Sequence, residues 1–92
     1  MNKKTSEEQA LAAAGRFRAY RKLRNITLKE VSVRSGVPYA TVRRFETTGE
    51  ISFGSLIRIA SALGLDEQIT ALFSELPPTT LEDLFRMDLR GR

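Results

Sequence analysis

Apolar residues recur at spacings of three and four along nearly the whole chain, and no alternating run of strand length interrupts them. Ala10, Ala13, Ala14, Phe17, Tyr20 and Arg24 follow this spacing, preceded by two overlapping capping boxes, Thr5 with Glu8 and Ser6 with Gln9. The pattern predicts a first helix ending at Asn25, with Gly15 as a tolerated weak point. Thr27-Leu28-Lys29-Glu30 is a further capping box; it opens a second helix that buries Leu28 and Val31 and stops at Gly36, the residue best suited to a left-handed C′ position. A third helix starts after Pro38, whose fixed φ suits a helix entrance, and runs from Tyr39 to Glu46 with Val42 and Phe45 inward. Residues 47–50 read as a loop. Ser52 caps a fourth helix carrying Leu56, Ile57, Ile59, Ala60 and Leu63, and Gly64 ends it. Asp66 is expected to cap a fifth helix running to about Leu76, with Ile69, Leu72 and Phe73 inward. Pro77-Pro78-Thr79 breaks the chain, after which Leu81, Leu84 and Phe85 share one face of a short amphipathic helix. Phe17, Tyr20, Phe45, Phe53 and Phe73 read as core rather than as a stacking platform for single strands. The fold class is all-α.

A chain of 92 residues holds one core, so residues 1–76 are expected to form one domain and residues 77–92 a tail that contacts a partner or a second copy. So small a core is only marginally stabilising, and a second subunit covering apolar surface would supplement it. The 41% hydrophobic and 28% charged content is that of a soluble globular domain. No apolar run approaches the ~20 residues of a membrane span, and the charged first residues lack the core of a signal peptide, so the default expectation is a cytoplasmic protein. Histidine and cysteine are both absent, which removes zinc sites, histidine-based triads and thiolate nucleophiles. No phosphate-binding glycine loop appears either, so neither an enzyme nor a cofactor or metal is expected. The charge is uneven: 11 basic residues face 5 acidic ones up to residue 50, whereas 4 face 6 thereafter. A basic front and a mildly acidic rear suggest a polyanion on one side and a protein on the other.

The segment from Asn25 to Glu46 gives that charge a place. Two helices of about eight residues joined by a short glycine-containing turn form a helix-turn-helix. Ser32 is small where the two helices cross, Gly36 permits the sharp turn, Val37 plugs the core beneath it and Val42 anchors the second helix. Tyr39, Ala40, Thr41, Arg43 and Arg44 are left facing outward near the helix start, where side chains reach base edges in the major groove. Arginine reads guanine O6 and N7 in two-pronged fashion, and Thr41 or Ala40 suits a thymine methyl. Tyr39 shares the face of Arg43, with packing into the core as its other reading. The helix start at Thr27, with the Leu28 and Lys29 N–H groups, is a ready phosphate site, joined at its edges by Arg34 and Thr47. Arg18, Lys22 and Arg24 read as solvated, with one or two of them touching phosphate.

Residues 16–65 resemble the Cro and xenobiotic-response-element (XRE) type of helix-turn-helix proteins through Phe17-Arg18, Arg21, Thr27, Glu30-Val31-Ser32, Gly36-Val37, Thr41-Val42, Phe45-Glu46 and Leu63-Gly64. The resemblance implies a five-helix lambda-repressor-like domain that binds double-stranded operator DNA as a homodimer. It also implies an ion pair between Arg21 and Glu46. The stretch from Arg44 to Ser52 is similar to the HipB branch, which implies an autoregulating antitoxin with a HipA-like kinase toxin as partner. On this reading Ile69, Leu72, Phe73, Leu81, Leu84 and Phe85 supply the dimer or partner contact. The alternative is an adaptor whose main work is binding a toxin or kinase, with accessory DNA contact. The chain departs from the family pattern at Leu28, where members usually carry Gln, at Pro38 in place of a common Ser cap, and at Glu50 in a loop that is often basic.

Overall fold

The computed structural model describes residues 4–75 together with Glu82, Phe85 and Arg86. Five helices run through the described residues: α1 (Ser6–Leu23), α2 (Leu28–Ser35), α3 (Tyr39–Thr48), α4 (Phe53–Ala62) and α5 (Asp66–Thr70). None of them is long and apolar enough to cross a membrane. The helix starts follow local chemistry. Thr5 and Glu8 close the first capping box, Thr27 and Glu30 the second, and the Ser52 hydroxyl accepts the Ser55 N–H. Of the two overlapping boxes at the front of α1, Ser6 with Gln9 is not used. Its Ser6 hydroxyl donates to Glu7 instead.

α1 packs on α3, α2 on both α3 and α4, and α4 on α5. At the crossing of α1 and α3 the rings of Phe17 and Phe45 meet edge to face at 5.5 Å. Val31, Val37, Val42, Ile59 and Leu63 are sealed from solvent beneath them, each contributing about 1.5–3 kcal/mol by leaving water. Leu28, expected buried, is only half-buried at the edge of this core. Arg24, expected solvated, lies over the Tyr20 ring at 5.5 Å and donates to the Tyr20 hydroxyl and the Leu63 carbonyl, which ties the end of α1 to the end of α4.

Several boundaries differ from the sequence expectation. α1 stops at Leu23, and Asn25, expected as its last residue, takes a left-handed φ of 57° that turns the chain toward α2. α3 continues through Thr47 and Thr48, which were expected in a loop, and Gly49 closes the helix at φ 82° with its N–H donating to the Phe45 carbonyl at 2.7 Å. Asp66 is not a cap: Leu65 holds that position without a side-chain hydrogen bond, and the helix ends at Thr70 rather than near Leu76. Phe53 begins α4 at 56% exposure and Phe73, at φ 62°, is 88% exposed, so neither belongs to the core; Leu72 also faces solvent. Leu81 and Leu84 lie outside the described residues.

Candidate nucleic-acid interface

The turn between α2 and α3 is fixed from both sides. Gly36 takes φ 74°, Val37 drops into the core, and the Ser32 hydroxyl donates to the Val37 carbonyl at 2.6 Å. The Val37 N–H in turn donates to the Ser35 hydroxyl at 3.1 Å. Ser32 therefore does more than stay small: it locks the turn by a hydrogen bond that residue size alone did not reveal.

From this turn α3 emerges with Val42, Phe45 and Glu46 buried. The opposite side presents Tyr39, Ala40, Arg43, Arg44 and Thr47, which line one shallow open depression. Three- and four-residue steps stack them along the rod, Tyr39 below Arg43 and Ala40 below Arg44. Tyr39 is half exposed and so does not pack as core. Thr41 is the exception among the expected readers, because it stands half-buried at the flank of the helix rather than on its outer face.

The two arginines differ in their commitments. Arg44 donates to the Glu50 carboxylate, the Glu50 N–H donates to the Thr48 hydroxyl at 3.1 Å, and that hydroxyl donates to the Arg44 carbonyl at 2.7 Å. This closed circuit holds Arg44 against the loop. The Arg43 side chain makes no hydrogen bond or ion pair among the described residues and stands in solvent between Tyr39 and Thr47. Thr47 spends its hydroxyl proton on the Arg43 and Arg44 carbonyls, so toward a ligand it offers lone pairs until that proton turns away.

Behind the face, Arg21 Nε and Nη2 grip Glu46 at 2.7 and 2.8 Å while Nη1 donates to the Ile26 carbonyl at 2.9 Å. Its hydrogen bonds to Glu46 outweigh desolvation and raise the Arg21 guanidinium above its ordinary pKa, so it stays charged in its buried setting. Arg18 also approaches Glu46, at 3.9 Å. This bridge fixes where α3 lies relative to α1.

At the start of α2 the capping box uses the Thr27 N–H and hydroxyl and the Glu30 N–H, leaving the Leu28 and Lys29 amides outside it. Arg34 pairs with Glu30 at 3.7 Å. The Thr27 backbone N–H, with its side chain and Arg34 adding to it, holds the Glu30 carboxyl below its ordinary value near 4.5. A depressed folded-state pKa means that Glu30 stabilises α2 above the unfolded value, and that this stability is lost as pH falls through the lowered one. Wild type should therefore melt above Glu30→Gln at neutral pH, and the gap should close in acid. A gap of undiminished size in strong acid would rule out the carboxylate as its source.

A helix-turn-helix family model matches residues 17–69. No curated protein and no solved structure matches the chain.

Proposed function

Because the chain belongs to the XRE/Cro-type helix-turn-helix family and is a DNA-binding transcription regulator, we propose that it is a repressor that reads operator DNA as a homodimer through the outer face of α3. The observation that carries this reading is the Arg43 guanidinium, exposed and uncommitted on a rod braced from behind by a buried ion pair. An arginine so held meets guanine O6 and N7 with both prongs. Tyr39, Ala40 and Arg44 complete the base-reading face, and Thr41 reaches it only from the flank. Arg44 joins once Glu50 releases it. The Leu28 and Lys29 amides, with Thr27, Arg34 and Thr47 around them, position the phosphate backbone and set register without reading sequence. Two copies would place their reading helices ~34–36 Å apart, one helical turn of DNA.

The resemblance of residues 44–52 to the HipB branch and the amphipathic tail support a finer reading, an autoregulating antitoxin whose partner is a HipA-like kinase toxin. Exposed Leu72 and Phe73 fit a protein contact on that side. Production of a neighbouring kinase-like protein together with this one, followed by co-purification, tests the finer reading directly.

Arg43→Ala should cost about 1–3 kcal/mol of specific binding and relax one base-pair position in a high-affinity duplex selected from a random pool. Arg34→Ala should weaken all sequences alike and make the salt slope shallower by about one. Anisotropy titrations at several salt concentrations measure both. Unchanged affinity and unchanged sequence preference in Arg43→Ala would remove α3 as the reading element.

A further inference from the structure

On the side of α3 away from the reading face, α1, the α3–α4 turn, α4 and α5 border an open apolar groove of about 590 Å³. Phe45 and Gly49 contribute to it from α3 and its cap, Ala13 and Arg16 from α1, Phe53 from α4 and Ile69 from α5. We propose that this groove receives residues 81–88 of a second copy of the chain, so that two protomers exchange their C-terminal segments; the inference rests on the dimeric reading above and gives that dimer its contact.

Four observations converge on this occupant. Residues 76–92 follow Glu75, which lies five residues beyond the end of α5, and α5 forms part of the groove border through Ile69. Twelve links separate Ile69 from Leu81 and reach at most ~43 Å, enough for the segment to extend from its own body to the same groove of a second copy. Its apolar residues Leu81, Leu84 and Phe85 fall at spacings of three and one, a single helical stripe of the width an apolar groove accepts. Phe85 is 65% exposed while the groove stands open, so the chain does not seat this ring in its own body.

Charge points the same way. Residues 81–88 carry Glu82, Asp83 and Asp88 against Arg86 alone. Arg16 on the groove border has no ion pair among the described residues, and a neighbouring depression shares Ala13 and Arg16 and adds Lys4. An acidic amphipathic stripe thus meets an apolar channel with a basic edge. A reciprocal exchange buries the same surface on both copies and closes on itself, as a two-fold contact requires.

The chain contains no cysteine, so single thiols report without background. Purified Ala13→Cys and Leu84→Cys proteins are mixed and treated with a short bismaleimide. A cross-linked dimer joining the two is the expected product, and adding Phe85→Ser to the Leu84→Cys chain should abolish it. In sedimentation, Phe85→Ser alone should raise the dimer dissociation constant about ten- to hundred-fold with an unchanged helical spectrum. A link that forms only within a monomer carrying both cysteines would overturn exchange between copies. A dimer that persists with neither cross-link nor sensitivity to Phe85→Ser would overturn the groove as its contact while leaving the dimeric reading intact. A wild-type chain that stays monomeric at every concentration, on and off DNA, would overturn the dimeric reading itself.

Discussion

Glu46→Ala should lower the free energy of unfolding by about 3–5 kcal/mol, the usual consequence of removing one member of a buried ion pair. Glu46 retains 4% of its side-chain exposure and Arg21 9%, so the guanidinium left behind has little water to turn to. Two of its donors lose their acceptor at once, and only the bond to the Ile26 carbonyl survives. Arg21→Ala should cost a similar amount, leaving a buried carboxylate with Arg18 at 3.9 Å as its remaining partner. Set against a typical total of about 5–15 kcal/mol, either loss consumes a large share of the fold. Arg21→Met with Glu46→Leu, which removes both charges and keeps apolar volume, should recover most of it. Urea titrations of the three variants measure the effect, and a drop below about 1 kcal/mol in both single variants would show that the pair is solvated in solution.

Gly49→Ala is the second large loss. The glycine sits at φ 82°, where a side chain costs about 1–2 kcal/mol. A Cβ there would also stand 2.6 Å from the Ala10 carbonyl carbon and 2.8 Å from the Leu11 nitrogen, both main-chain atoms that cannot swing aside. Separating α1 from the end of α3 adds roughly 1–3 kcal/mol of overpacking. Gly36→Ala is the internal control: its φ is 74° but a Cβ meets nothing within 4 Å, so it should show the conformational part alone, about 1–2 kcal/mol. Equal thermal shifts for the two variants would show that the contact with α1 is not rigid.

Where local chemistry decides the backbone, the chain could be read in advance. Thr27 with Glu30, Ser52, Gly36 and Gly64 act as expected because a cap or a left-handed turn depends on one to four neighbouring residues. The burial of Val31, Val42, Phe45, Ile59 and Leu63 also follows from helical period, and that of Val37 from its place in the turn. Readings failed where tertiary context or side-chain geometry took over. Thr47 and Thr48 look like loop residues by composition, yet the helix runs through both to the left-handed Gly49 cap, two residues further than composition alone places its end. Phe53 has the right residue type for a core but occupies the first turn of α4, which points away from it. α5 has five residues and no side-chain cap, too little local preference to fix its end from sequence. On the outer side of α3, period placed Tyr39, Ala40, Arg43 and Arg44 together, whereas Thr41, expected with them, stands at the flank. Period did not show the Arg44–Thr48–Glu50 circuit, which depends on how a glycine cap returns the chain toward its own helix. The four-residue spacing of Tyr20 and Arg24 carries the signal for their stacking, since a cation one helical turn beyond an aromatic reaches its ring.

Gly49 has a consequence beyond stability. With no side chain between them, the end of α3 and the second turn of α1 meet main chain to main chain, a hard stop without a cushion. The same glycine and Phe45 border the groove on the far side. The exposed side of α3 and the channel behind it therefore share a fulcrum. If seating a guest in that channel multiplies DNA affinity by some factor, DNA must multiply the guest's affinity by the same factor. A molecule of this size can in that way let one surface sense the other through two atoms' worth of contact.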